Sequence, residues 1–302
     1  MFEVLIKAGC FVAIIILGYV LKQIGLFKES DFTVLSNITL KITLPAAIIS
    51  NFANKELDPS LFTLTLLALT CGGIYILLGF LLNLRNSKEQ RAFEILNLPG
   101  YNIGCFALPF VQNFLGPLGV ISCCLFDIGN GFICLGGAFS IASAVKDGGK
   151  ITFGRIIRTL SKSVPFLCFL IMPILCIFHV PIPKPITAFA DTVSSANAFC
   201  AMFMLGVGFK ITAEKTQLGR IIRILAVRFS VAAVLAVCFY FLLPFAPEVR
   251  KTLVLLVFSP IDSAVPAFTG VMKSDVGLSS TTNSIAIICS IVMMVLLLII
   301  IP

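Results

Sequence analysis

A few polar residues stand in stretches that are otherwise apolar. Asn102 lies between Pro99 and Pro109 in residues 96–110, LNLPGYNIGCFALPF. Asp262 lies between Pro260 and Pro266 in residues 255–270, LLVFSPIDSAVPAFTG, with Ser259 and Ser263 beside it. Lys41 precedes Pro45 by one helical turn, and Asp127 precedes Asn130 by one turn. An amide carries donors and an acceptor, so Asn102 can hold a carboxylate, a carbonyl or a freed backbone group, or it can simply cap a broken helix. A carboxylate at membrane depth is costly and marks a solute pathway by default. Asp262 can take up a proton, bind a cation or cap a half-helix. Lys41 can counter Asp127, Asp262 or an anionic ligand, or snorkel to an interface. Asp127, with Asn130, reads either as a proton relay or as half of an ion pair with Lys41.

The segments that hold these residues are themselves unusual. Proline removes a backbone donor and crowds the preceding turn, and glycine weakens a helix further. Pro99, Gly100, Gly104 and Pro109 therefore break one segment, and Pro260 and Pro266 break the other. In hydrocarbon a broken helix survives only where protein or a water-filled cavity satisfies its freed groups. Two broken segments in corresponding positions of two halves point to a solute site between them. Gly100, Gly104, Pro109, Ser259, Ser263 and Pro266 are thus expected to build or line it with Asn102 and Asp262. Half-helix N-termini there would favour negative charge, either a bound anion or the Asp262 carboxylate itself.

The whole chain is of one kind. Of 302 residues, 59% are hydrophobic and 12% charged, against roughly 25% charged in a soluble domain. Apolar runs of spanning length recur from end to end. They predict ten transmembrane helices, near 3–22, 32–52, 60–83, 92–111, 116–144, 159–178, 186–208, 221–243, 249–271 and 276–300. The start of the chain reads as the first span, because Glu3 and the lack of a basic leader argue against a cleaved signal. Odd-numbered loops hold 16 of the 22 Lys and Arg residues, which puts those loops in the cytoplasm and both termini outside. The net charge of +8 thus reflects topology, and nucleic acid is not expected as a partner. The most basic loop joins the halves, giving a first five-helix repeat at 1–145, a basic cytoplasmic linker at 146–158 and a second repeat at 159–302. Five spans per half make the repeats inverted, with the broken spans fourth in each.

Several chemistries are absent from the sequence. The single histidine, His179, and the lack of CxxC pairs give no metal site, and the 11 cysteines fall in apolar runs as small buried side chains. No nucleophile elbow, zinc-protease motif or phosphate-cradling glycine loop is present, so neither an enzyme nor a cofactor is expected.

The strings LKITLPAAIISNFA, YNIGCFALPF and SPIDSAVPAFTGVMKSDVGLSSTTNSI together resemble the auxin efflux carrier family of membrane transport proteins, in its compact bacterial form. Bacterial relatives are described as malonate, malate or other dicarboxylate permeases. The resemblance implies an all-α fold of ten helices in two inverted five-helix repeats, similar to the bile-acid sodium symporter and sodium/proton antiporter folds. It implies that spans 4 and 9 cross at their prolines, here Pro109 and Pro266. Spans 1, 2, 6 and 7 would be a scaffold, and spans 3, 4, 5, 8, 9 and 10 a moving domain. Asn102 would touch a carboxylate substrate, and Lys41 would sit in a support site. Two departures stand out. The third span has no acidic residue to complete that support site, and Asp262 replaces an expected neutral residue. The long cytoplasmic loop of the plant carriers is missing, which argues against auxin as the substrate.

The expected function is secondary active transport of small organic anions by an elevator-like alternating-access mechanism in the cell membrane. Proton coupling through Asp127 or Asp262 is one expectation, and sodium coupling is an alternative. A membrane metabolite sensor that binds without transport is another class. Expected partners are the anion, the coupling ion and membrane lipid, with a homodimer left open.

Overall fold

The computed structural model describes residues 2–53, 55–148 and 153–301. Asn54 in the second loop, Gly149 and Lys150 in the basic linker, and the side chain of Arg155 lie outside the described residues. Among the described residues every regular element is helical. In chain order they are α1 (Phe2–Gln23), α2 (Asp31–Phe52), α3 (Pro59–Leu81), α4 (Lys88–Asn97), α5 (Ile103–Phe114), α6 (Pro117–Asp147), α7 (Phe153–Leu160), α8 (Val164–Ile177), α9 (Lys184–Ser194), α10 (Asn197–Gly208), α11 (Lys215–Leu242), α12 (Pro247–Val257), α13 (Val265–Val271) and α14 (Val276–Ile300). Seven helical stretches are long and apolar enough to cross a bilayer: α1, α2, α3, α6, α9 with α10, α11 and α14. The chain is a multi-pass membrane protein.

Local chemistry explains where the predicted spans are interrupted, two of them as expected and two not. The expected fourth and ninth spans are each two helices, α4 with α5 and α12 with α13, as their Pro and Gly content requires. The expected sixth span splits before Ser163. The Ser163 hydroxyl accepts the Phe166 N–H at 3.4 Å and caps α8, while the preceding turn belongs to α7. That helix is amphipathic: Ile156 and Leu160 are buried, and Phe153 and Ile157 are exposed. The expected seventh span is interrupted at 195–196, between α9 and α10.

Two prolines do not break their helices, because the turn ahead of each is widened. In α2 the residues Thr39–Thr43 form a π-turn just before Pro45. In α5 the residues Ile103–Ala107 do the same before Pro109. A proline ring crowds the carbonyl four residues earlier, and a π-turn moves that carbonyl aside. Lys41 and Gly104 sit in these two wide turns.

The helices pack as two groups. In one, α1 lies along α10, α2 along α8 and α9. In the other, α3 lies against α4 and α6, α11 and α6 against α12, and α13 against α14. The α1–α10 contact is a backbone-to-backbone approach. A Cβ on Gly18 would lie 2.5 Å from the Phe203 carbonyl oxygen, and one on Gly206 would overlap the Ile15 carbonyl. Small residues are what permit such crossings in a bilayer, where apolar burial drives nothing between helices.

Gly206→Leu should therefore destabilise the protein by at least about 1–3 kcal/mol, the usual cost of overpacking. Gly9→Leu, at a position with open space around it, should not. Thermal unfolding in detergent checks the pair.

Candidate functional site

Two helix breaks meet inside the second group. After α4 the chain leaves helical geometry at 98–102, where Gly100 adopts φ +83°. A side chain at Gly100 would be strained by that φ, and its Cβ would lie 2.8 Å from Cys134 Sγ. After α12 the chain is irregular at 258–264. The Asn102 N–H donates to the Pro260 carbonyl at 3.0 Å, so a donor freed by one break serves an acceptor freed by the other.

The remaining freed groups are met by side chains from neighbouring helices. Asn130 of α6 accepts the Tyr101 N–H at 2.9 Å and donates to the Tyr101 carbonyl at 2.7 Å. It also donates to Asp127 Oδ1 at 2.7 Å. Arg228 of α11 is fully buried and donates to the carbonyls of Leu98, Gly100, Ser259 and Pro260 at 2.5, 2.8, 2.9 and 3.1 Å. The rings of Tyr75 and Tyr101 flank its guanidinium at 5.5 and 5.1 Å. Asp262 Oδ1 accepts the Ala264 N–H at 2.8 Å, so the carboxylate sits at the start of α13. A Cβ on Gly104 would lie 3.6 Å from Asp127 Oδ2, so the second carboxylate sits by the first turn of α5.

A cavity of about 210 Å³ opens beside this crossing. Its polar lining includes Lys41, Asn102, Asp127, Asn130, Lys162, Asp262 and Ser263, and Leu40, Leu44, Phe166 and Phe169 give it an apolar wall. Asn102 Nδ2 is buried there without a hydrogen-bond partner. Among the described residues no ion pair includes Lys41 or Lys162. A second cavity of about 210 Å³ lies beyond Ser263, lined by Lys22, Glu29, Lys210, Pro266, Asn283 and Ser284 among others. There Lys210 Nζ binds Glu29 Oε1 at 2.5 Å and holds that carboxyl below its usual range. Lys22 Nζ donates to the Phe209 carbonyl.

The structure sorts the residues expected from sequence. Asn102, Gly104, Asp127, Asn130, Lys41, Asp262 and Ser263 line one cavity. Gly100 shapes the bend behind it, and the Ser259 carbonyl serves Arg228. Pro266 lines the second cavity only, and Pro109 lines neither. The backbone hydrogen bond between the two breaks is not at Pro109 and Pro266 but at Asn102 and Pro260: Pro109 lies within α5 behind its π-turn, and Pro266 occupies the first turn of α13, where a missing N–H costs nothing. Lys41 does not pair with Asp127 or Asp262; both carboxylates take hydrogen bonds from neighbouring groups instead. Asn130 acts as a backbone clamp. Arg228, Tyr75 and Lys162 were not singled out from sequence. The signal available was the position of Arg228 inside an apolar run, AVRFSVAAV.

Residues 10–152 match the family described as membrane transport protein, which bears out the resemblance read from the motifs. The matched stretch holds Lys41, Asn102, Asp127 and Asn130, whereas Arg228 and Asp262 lie beyond it. No curated protein matches the chain.

Asn130→Leu should leave the Tyr101 N–H unpaired in the interior and take one of two N–H donors from the Tyr101 carbonyl, which keeps the Ile103 N–H. An unpaired buried group costs about 1–3 kcal/mol. The expected result is a clearly lowered melting temperature in detergent, with a smaller loss for Asn130→Gln, which keeps the amide.

Proposed function

We propose that the chain, whose residues 10–152 match the membrane transport protein family, is a secondary active transporter of small organic anions, mono- or dicarboxylates such as malonate or malate. The observation that carries this reading is the cavity at the crossing, where Lys41, Lys162 and Asn102 Nδ2 present positive charge and donors that no carboxylate among the described residues takes up. Its volume of about 210 Å³ is below the roughly 300–1,000 Å³ of sites for drug-sized ligands, which suits a solute of a few heavy atoms.

The charges also suggest the coupling. Two lysines and two aspartates balance within the cavity lining. An anion adds a net negative charge unless Asp127 or Asp262 carries a proton. The start of α13, where an anion would otherwise bind, is already held by Asp262. Protonation of that carboxyl frees the position, so anion and proton travel together. The same two carboxylates could hold a sodium ion, and sodium coupling is the second reading.

The packing supports an elevator-like motion. The crossing belongs entirely to the group of α3–α6 and α11–α14, and the lining from Lys41, Lys162 and Phe166 belongs to or adjoins the other group. Sliding between the groups would carry the crossing past a fixed wall and expose it alternately to each side. In this scheme the chain forms ten spans, with α4 and α5, and α12 and α13, as the broken fourth and ninth. The repeats run over 1–145 and 159–302 about the linker at 146–158, and both termini lie outside.

Reconstituted protein should take up labelled malonate or malate under an imposed proton gradient. Asn102→Ala should cut uptake at least about tenfold, the worth of a lost buried hydrogen bond to a charged group. Asp127→Asn or Asp262→Asn should abolish the component driven by the pH gradient. Uptake that follows sodium and ignores pH would select the second reading, and no uptake of any small carboxylate would reject both.

A further inference from the structure

The strongest unexplained feature is a fully buried arginine with no carboxylate at ion-pair distance among the described residues, Asp262 acting on it only from further away. Among the described residues no ion pair includes Arg228, and its relative exposure is 0%. A lone buried charge is costly, so something must stabilise it. Here it is a ring of four backbone carbonyls, two from each break: Leu98 and Gly100, Ser259 and Pro260. The first pair follows the C-terminus of α4 and the second follows the C-terminus of α12. Helix C-termini carry partial negative charge, and two of them face the same guanidinium.

Unwound carbonyls and half-helix C-termini in this arrangement are the groups that coordinate cations in transporters with broken helices. In this protein the place is filled by a side chain. A guanidinium suits it because its planar fork reaches several acceptors at once, stays charged and is only weakly hydrated. The faces of Tyr75 and Tyr101 close the remaining sides, and the Tyr75 hydroxyl donates to the Arg228 carbonyl at 2.9 Å, fixing α11 against α3.

We propose that Arg228 is the resident cation of the crossing: it occupies the carbonyl ring that a metal cation would otherwise fill, and it locks the two breaks into one unit. It is a positioning residue, since it does not line the cavity beside the crossing. The inference deepens the transport reading by removing one place for sodium, and leaves Asp127 and Asp262 as the carboxylates available for coupling in that cavity. The lock itself is a property of the fold and stands whether or not carboxylates are carried.

The test uses full-length protein purified in detergent, with wild type, Arg228→Ala and Arg228→Lys compared. Melting temperatures are measured in sodium chloride, in choline chloride at equal ionic strength, and with added millimolar guanidinium. Wild type should melt at the same temperature in sodium and choline. Arg228→Ala should melt about 5–15 °C lower and should recover part of that loss with guanidinium, which can enter the vacated ring. Arg228→Lys should fall between them, because an ammonium cannot span four carbonyls. A wild type stabilised by sodium over choline, an unaltered Arg228→Ala, or guanidinium that helps Arg228→Ala no more than wild type would overturn the proposal. If Arg228→Ala does not fold, the wild-type sodium comparison and Arg228→Lys decide: sodium indifference with a lowered Arg228→Lys supports the lock, and either opposite result rejects it. Vesicle uptake is measured on the same variants. Absent uptake with the expected melting pattern would reject carboxylate transport and leave the Arg228 lock standing, whereas normal uptake without that pattern would do the reverse.

Discussion

Interrupting two helices in a dry interior frees backbone donors and acceptors, and each must find a partner. The rest of this molecule is arranged around that constraint. The breaks satisfy one another directly through the Asn102 N–H and the Pro260 carbonyl. Asn130 from α6 closes both groups of Tyr101. Arg228 from α11 takes four carbonyls. The interruption thus forces a glycine at position 100, an amide in α6 and a buried cation in α11. Three helices that are far apart in sequence are fixed to one point.

The same solution creates a polar place in an apolar protein. With the carbonyl ends of the breaks occupied by Arg228, what faces the cavity is the other side of the crossing: Asn102, the two half-helix starts and the carboxylates beside them. Lys41 reaches it from the π-turn that Pro45 imposes on α2, and Lys162 from the turn before α8. Ser263 lies on both this cavity and the second one, whose lysines are engaged by Glu29 and the Phe209 carbonyl. A solute moving between the two would pass the second break.

Much of this was legible in the sequence, for a physical reason. Proline and glycine act locally, so the breaks at 98–102 and 258–264 could be read from residue types alone, and so could Asn102 and Asp262 as the polar residues within them. The crossing point was misplaced because proline acts differently by position. Pro109 is accommodated inside α5 by a π-turn and Pro266 starts α13, whereas Pro99 and Pro260 sit in the breaks. Arg228 gave no such signal, since its partners are backbone carbonyls that no side-chain pattern announces. Lys41 and Asp127 looked like a pair because both are charges in apolar helices. Asn130 is closer to Asp127 and supplies the hydrogen bond that the lysine was expected to give. The split before α8 turned on a single capping serine, Ser163.

The central claim is that the solute binds at the crossing. Substrate protection of a cysteine placed at Ser263 tests it most directly. Ser263→Cys protein in membranes is treated with a small thiol reagent, and its labelling above the wild-type background is followed with and without malonate or malate. The account predicts that the new cysteine reacts and that a transported carboxylate slows the reaction in a saturable way. Labelling that is unaffected by carboxylates the same protein demonstrably transports would contradict a site at the crossing.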